Sequence, residues 1–187
     1  MTSANPERGC AGVFNMPRFV TPGMFAIGIE PELTFSNGAG MGFNAKYTHG
    51  MTDMSNLIAI IGTGSGARRL RAGAAWTFDF FPDIEGQPGI GLGVQSIYWR
   101  LKESGRFDLT LLPYIHKTFV SGGTHEFEPF LSIPFGLGFT TDTYKPVMNV
   151  ALGCMFKGSE HLRYSIEVAV AILNSDSYVS GGIVYYY

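Results

Sequence analysis

The sequence contains no apolar run of 18 residues, and this absence excludes a transmembrane helix. Its two cysteines, Cys10 and Cys154, are too few for a disulfide framework. Only 15% of the residues are charged, the formal net charge is −2, and no basic run is present, so nucleic acid is not expected as a partner. Residues 1–8 lack the apolar core of a signal peptide, so for an exported protein we expect the leader to have been removed.

Motifs that would indicate catalysis or metal binding are also missing from the sequence. Neither HExxH nor CxxC occurs, and the four histidines, at 49, 116, 125 and 161, are scattered. Gly62–Ala67 is glycine-rich like a phosphate-binding loop, but it lacks the GK[ST] ending and the following helix. We therefore expect no metal, no cofactor and no enzymatic activity.

What the sequence does have is a regular alternation of apolar residues with small or polar ones. Between Phe25 and Phe35, for example, Ile27 and Ile29 fall on one phase, and Glu30 and Glu32 fall on the other. Side chains on a β-strand point alternately to opposite faces, so each such segment has an apolar face and a polar face. The pattern predicts ten strands, at residues 24–36, 40–50, 56–63, 68–81, 89–101, 106–120, 126–140, 146–157, 161–173 and 178–187.

Two details of the predicted strands need comment. Pro31, Pro113, Pro129 and Pro134 lie inside them, and a proline removes one donor from the hydrogen-bond ladder, so bulges or kinks are expected there. The third segment is apolar on both phases, and the sequence does not orient it.

A closed barrel satisfies nearly all of these segments. With no convincing helix to cover the apolar faces, lipid outside and a polar interior fit the pattern. The fold class is therefore all-β, a closed antiparallel up-and-down transmembrane β-barrel of ten strands. Residues 23–187 form the barrel, and residues 1–22 form an N-terminal segment that lies outside the wall or plugs one mouth. The alternative, a soluble lipocalin-like ligand-binding barrel, would place the apolar faces inside and expose glycine and alanine to water.

Most strand charges fall on the inward phase, which predicts a charged lumen. A hairpin centred near Gly38 would place Glu30 opposite Lys46, and opposite charges facing each other across strands are stabilising. Two interpretations stay open: a structural network of ion pairs that fills the barrel, or a lumen that conducts or binds a ligand. Inward glycines either create space, up to a small water-filled cavity, or let the wall curve. The predicted network comprises Glu30, Glu32, Lys46, Arg69, Arg71, Asp79, Asp108, His116, Glu128, Arg163 and Glu167.

The last strand carries the most specific signal. Val179, Gly181, Ile183, Tyr185 and Tyr187 alternate with inward positions, and the sequence ends on an aromatic residue. With the preceding strands, this end resembles the bacterial outer-membrane β-barrel proteins of Gram-negative bacteria. Aromatic residues near strand ends suit the interfacial girdles of such barrels; they are Tyr47, Trp76, Tyr98, Trp99, Tyr164, Tyr178, Tyr185 and Tyr187.

The resemblance implies a location and partners. We expect a place in the outer membrane, with both termini in the periplasm and contacts to the lipid bilayer and lipopolysaccharide. Ile183, Tyr185 and Tyr187 would form the signal read by the outer-membrane insertion machinery. The expected function is that of a structural membrane protein or minor diffusion channel with a narrow charged lumen, and the membrane alternative is an anchor that binds a partner. Short loops argue against an adhesin or receptor.

Overall fold

The computed structural model describes residues 18–35, 39–65, 68–101, 104–122 and 125–187, apart from the side chains of residues 68, 69 and 101. No helix in these ranges is long and apolar enough to cross a membrane. The described chain is built from β-strands: β1 (Phe25–Thr34), β2 (Gly40–Thr52), β3 (Ser55–Gly64), β4 (Arg68–Phe81), β5 (Gly89–Leu101), β6 (Gly105–His116), β7 (Phe119–Ser121), β8 (His125–Ser132), β9 (Phe135–Phe139), β10 (Tyr144–Lys157), β11 (Leu162–Leu173) and β12 (Tyr178–Tyr186).

The strands close into an antiparallel barrel. Each strand from β1 to β6 pairs with the next, β10 pairs with β11, β11 pairs with β12, and β12 returns to pair with β1. Both β8 and β9 lie between β6 and β10, so together they form one element of the wall. The result is the predicted closed barrel of ten strands, with β7 as an addition that pairs only with β8 among the described strands.

Proline divides the strand that was predicted at 126–140. The chain leaves the regular ladder at Ile133 and Pro134, between β8 and β9. Ile133 donates to the Pro113 carbonyl at 3.1 Å, and the Pro134 carbonyl accepts from Asn149 at 3.0 Å, so hydrogen bonding continues through the kink. The predicted kink is confirmed here.

The predicted strand 106–120 is too long. It ends at His116, because Lys117 and Thr118 turn away to bind Asp83, and the chain resumes as the separate strand β7. We call the end of the barrel that carries this turn, residues 18–24 and the C-terminus the termini end, and the opposite end the far end.

The predicted alternation is present along the wall. On β1, Ile29 is 47% exposed on the outside, whereas Glu30 is 1% exposed on the inside. The structure also orients the third segment: Ile58 and Ile60 point inward, and Leu57 and Ile61 point outward. Two residues expected in the girdles are corrected, because Trp99 and Tyr178 lie on the inward phase and are 1% and 0% exposed. The other six girdle residues are Tyr47, Trp76, Tyr98, Tyr164, Tyr185 and Tyr187, and all are exposed.

Several inward glycines lie against large inward side chains of neighbouring strands. Gly91 pairs in register with Tyr114, and a Cβ at Gly91 would overlap the tyrosine ring. Gly153 and Phe130 form an equivalent pair between β10 and β8. These glycines therefore provide room that a neighbouring ring fills.

We predict that Gly91→Ala destabilises the barrel by about 1–3 kcal/mol, the usual cost of forcing an extra methyl group into a packed core. The new methyl group would meet both the Tyr114 ring and the Phe78 carbonyl. Gly181→Ala is the matched control, since its nearest atom would be the Ser165 oxygen at 3.6 Å. The free energy of unfolding of refolded protein measures the effect, and equal stability of the two variants would contradict it.

Candidate functional site: the lumen and its mouth

The far end of the lumen contains an arginine held between a carboxylate and an indole ring. Arg71 on β4 lies 2.9 Å from Glu32 Oε2, and its guanidinium carbon is 5.1 Å from the centre of the Trp99 ring. Asn44 donates a longer hydrogen bond, 3.4 Å, to the same carboxylate. Glu32 and Arg71 are both more than nine-tenths buried, so this is a desolvated ion pair with a cation–π contact.

The middle of the lumen contains the pair formed by Glu30 and Lys46. The amine lies 2.7 Å from Glu30 Oε2, and both side chains are buried. The predicted register is wrong by two residues, because Glu30 lies opposite Asn44, and Lys46 lies opposite Gly28. The long lysine side chain reaches the carboxylate diagonally, which is within range for neighbours two positions apart on one face.

Two further groups in the lumen were missed by the sequence analysis. Arg106 Nε lies 2.5 Å from Asp108 Oδ1 on the same strand. The Arg106 side chain is buried and therefore belongs to the lumen. Arg106 lies two residues before Asp108 and therefore on the same inward phase, so the alternation could have placed it in the lumen. Tyr178, which was assigned to a girdle, donates its hydroxyl to the fully buried Glu167.

At the termini end, His116 bridges two carboxylates. Its Nδ1 lies 2.7 Å from Glu128 Oε1, and its Nε2 lies 2.9 Å from Asp79 Oδ2. The three side chains come from β6, β8 and β4, and all three are buried. The imidazole therefore links three strands across the interior.

Glu126, near the same end, gathers three cations. Its carboxylate lies 2.8 Å from Arg18, 3.1 Å from Arg163 and 3.6 Å from Lys157. Arg163, a member of the predicted network, therefore pairs with Glu126, which lies on the inward phase of its predicted strand. Arg69, the remaining member of the predicted network, has its side chain outside the described residues.

The interior retains little free space in the two lumen cavities that these side chains line. One cavity, next to Glu32 and Arg71, has a volume of about 10 Å³, and the other, next to Glu30 and Lys46, is of the same size. Each has room for about one water molecule. Arg71 fills the room that glycines leave beside the first cavity: at Gly42 and Gly62 a Cβ would come within 2.9 and 2.6 Å of the Arg71 guanidinium nitrogens.

The mouth at the termini end is wider and is crossed by residues 18–24, which we call the strap. Val20 is 3% exposed, and its N–H donates to Asn56 Oδ1 at 3.1 Å. Phe19 packs on an inward cluster that includes Leu112 and Phe130. Gly50 lets the strap pass, because a side chain there would overlap the Val20 and Thr21 carbonyls.

A cavity of about 420 Å³ lies beside the strap. Carboxylates dominate its lining, with Asp53, Asp79, Asp83, Glu126 and Glu128 against Arg18 and His116. The mouth is therefore the roomiest polar site among the described cavities. Residues 1–17 of the predicted N-terminal segment lie outside the described residues.

A clip fixes one rim of this mouth. Lys117 donates to Asp83 at 2.7 Å and to the carbonyls of Ile84 and Gln87, while the Thr118 N–H donates to Asp83 at 2.6 Å. Burial acts to raise the pKa of Asp83, but the hydrogen bonds from Lys117 and Thr118 outweigh it and hold the pKa below its ordinary value of 3.8.

The C-terminal residues lie on the outside of β12 and beyond its end. Ile183 and Tyr185 are half exposed and face outward, and Tyr187 stacks on Phe25 with ring centres 4.6 Å apart. The Tyr187 N–H donates to the Phe25 carbonyl at 2.9 Å. The end of the chain is therefore joined to the start of β1.

We predict that Glu32→Gln lowers the free energy of unfolding by about 3–5 kcal/mol, because it leaves the Arg71 charge buried without its carboxylate. The double variant Glu32→Gln/Arg71→Gln should lose less than the sum of its two single variants. Glu85→Gln, on an exposed turn, is the control and should be neutral. Strict additivity of the two single variants would show that the pair is not coupled.

We predict that Asp83→Asn lowers the melting temperature at neutral pH and not in acid. Because the carboxylate's pKa is lowered in the folded state, its contribution is complete well above pH 3.8 and is lost as the pH falls through the lowered pKa. The melting curves of wild type and variant should therefore converge below pH 3.8. Asp53→Asn, in an exposed turn at the same mouth, serves as control. A constant difference at all pH values would exclude the clip as its source.

Comparison with solved structures shows which known proteins have a similar fold. No protein-family model matches the sequence, and no curated protein matches it. An outer-membrane channel from Pseudomonas putida F1 is similar at a TM-score of 0.55 and 7% identity, covering 94% of this chain and 100% of that chain. A de novo designed transmembrane β-barrel has a TM-score of 0.44 at 16% identity (89% and 98% covered), and the KdgM porin has 0.40 at 14% (87% and 99% covered). The chain therefore shares its closed antiparallel barrel fold with the outer-membrane channel from Pseudomonas putida F1.

Proposed function

We propose that this protein is an integral outer-membrane β-barrel whose narrow, charged lumen is closed by its own side chains, and that it acts as a structural membrane protein. One observation carries the proposal: the wall is apolar outside, and the strand charges form buried ion pairs inside. A membrane would stabilise this arrangement, because lipid solvates the apolar face and the closed hydrogen-bond ladder of the wall leaves no strand edge.

The outward surface supports the membrane setting. Every wall strand carries large apolar side chains on its outward face that are about half exposed. Examples are Ile29, Phe43, Ile61, Phe80, Leu109, Leu137, Leu152, Ile166 and Ile183. Soluble monomers rarely expose apolar patches larger than a few hundred Å². A lipocalin-like barrel would need the opposite phase, with these residues lining a cavity, so the soluble alternative disagrees with the structure.

The filling of the lumen favours a structural role over an open pore. Arg71 occupies the space above Gly42 and Gly62, and Tyr114 occupies the space above Gly91. Buried ion pairs occupy the interior at the far end, in the middle and at the termini end. A ten-stranded barrel is only slightly wider than the eight-stranded kind that side chains just fill.

A location in the bacterial outer membrane follows from the proposal, with the termini end toward the periplasm. The bilayer and lipopolysaccharide would surround the wall, and the exposed C-terminal residues Ile183, Tyr185 and Tyr187 would be read by the insertion machinery. We propose no enzymatic activity.

A minor diffusion channel is the second candidate, and the mouth favours it. The cavity of about 420 Å³ at the termini end would hold several water molecules and leads toward His116. If the protein is a channel, the strap plugs the mouth, and ions can pass beyond the mouth cavity only when the lumen side chains move.

Single-channel recording in a planar bilayer separates the two candidates. We predict that wild-type protein gives no steady openings, because the lumen is filled. Glu32→Ser/Arg71→Ser, which removes the two side chains that fill the far end above Gly42 and Gly62, should remain silent as well, because the Glu30–Lys46 pair and the His116 cluster still close the middle and the termini end. Glu85→Ser is the control and should remain silent. Discrete openings of the wild type would overturn the structural role in favour of the channel.

A further inference from the structure

A groove lies on the outer surface of the barrel wall where the first and last strands meet. It has a volume of about 390 Å³ and lies between β1 and β12. Its sides are formed by Ile27, Ile29, Ile183 and Tyr185, which all face outward, and Pro31 closes one end. Gly181 lies on the outward phase at its floor, where any other residue would present a side chain.

The ladder between β1 and β12 has a gap beside this groove. The register between β1 and β12 runs from Ala26↔Tyr186 to Ile29↔Ile183, omits Glu30 and Pro31, and resumes at Glu32↔Ser180. Pro31 lacks the N–H that would continue the ladder. Gly182 faces inward at the same level, directly against the Glu30 side chain. Packing of the groove therefore matters for the seam that closes the barrel.

An aromatic belt begins where the groove ends. Tyr187, at the end of the groove, stacks on Phe25 at 4.6 Å, and Phe25 stacks on Tyr47 at 5.7 Å. Histidines extend this belt on both sides: His49 stacks on Tyr47 at 6.4 Å, and His161 stacks on Tyr185 at 5.9 Å. Tyrosine and histidine rings have one apolar part and one polar part, which suits the level of lipid headgroups.

The length of the groove matches one leaflet of a bilayer. Along the groove the chain advances six residues from Gly181 to Tyr187, which is ~20 Å at about 3.3 Å per residue. With the usual strand tilt of about 40°, this corresponds to roughly 15 Å along the membrane normal. That distance is half of the ~30 Å hydrocarbon core. The groove thus extends from the headgroup level to the middle of the membrane.

We infer that this groove binds one acyl chain of a phospholipid from the leaflet at the termini end, with the headgroup against the belt of tyrosines and histidines. The inference rests on the proposed membrane location. A second copy of the chain fits less well, because the depression involves two strands only, whereas a stable protein interface buries at least about 1,000 Å². An acyl chain matches both the apolar lining and the leaflet length.

Filling the groove tests the inference. Gly181→Leu should occupy the floor with little strain, because a Cβ there would meet only the Ser165 oxygen at 3.6 Å. Ala72→Leu is the matched control; it adds the same side chain to an exposed outward position on β4, away from the groove. Dipalmitoyl phosphatidylglycerol is the probe, titrated onto refolded protein in detergent, and native mass spectrometry counts bound lipid.

Wild type and Ala72→Leu should bind a single phospholipid saturably, and Gly181→Leu should bind it at least tenfold more weakly. Equal binding by all three proteins, or no saturable binding to wild type, would overturn the inference. A wild-type dimer that Gly181→Leu converts to a monomer would overturn it too, and would assign the groove to a second copy. Insertion into vesicles is measured separately by heat-modifiable migration on gels. Failure to insert contradicts the proposed function, whereas normal insertion with unchanged lipid binding contradicts only the groove.

Discussion

The need to satisfy every backbone hydrogen bond is the constraint on which the rest of this structure depends. An unpaired backbone N–H or C=O in hydrocarbon costs several kcal/mol, so a sheet in a membrane must close. Here closure is made by β12 with β1, and the Tyr187 N–H extends the ladder to Phe25 at the end of the chain. Once the wall is closed, the period of two along each strand separates an apolar outside from a polar inside.

The narrow interior creates the second constraint, because charges placed there lose water. Ion pairing offsets the free-energy cost of that desolvation. Glu32 pairs with Arg71, Glu30 with Lys46, and His116 with two carboxylates. Large side chains occupy the space that glycines leave, as Tyr114 does at Gly91. Ion pairs and glycines therefore act together, and both favour a lumen filled by the protein itself.

The sequence predicted the number of wall strands and the facing of most of them, since alternation depends only on local geometry. It did not predict the register of the first hairpin, where a shift of two residues keeps every side chain on its own face and leaves the pattern unchanged. Residue type also misled the assignment of Trp99, because a girdle tryptophan and one beneath Arg71 look alike in sequence. The strap, the Asp83 clip and the groove over Gly181 depend on contacts between distant segments, which alternation does not encode.

The two tryptophans allow the central claim, apolar outside and polar inside, to be tested directly. Trp76 is 45% exposed on the outer wall, and Trp99 is 1% exposed in the lumen. Single-tryptophan proteins, Trp99→Phe and Trp76→Phe, would be refolded into vesicles whose lipids carry brominated acyl chains, and their fluorescence compared with that in unbrominated vesicles. The structure predicts strong quenching of Trp76 and much weaker quenching of Trp99. Stronger quenching of Trp99 than of Trp76, or no quenching of either, would contradict a barrel with its apolar face in lipid.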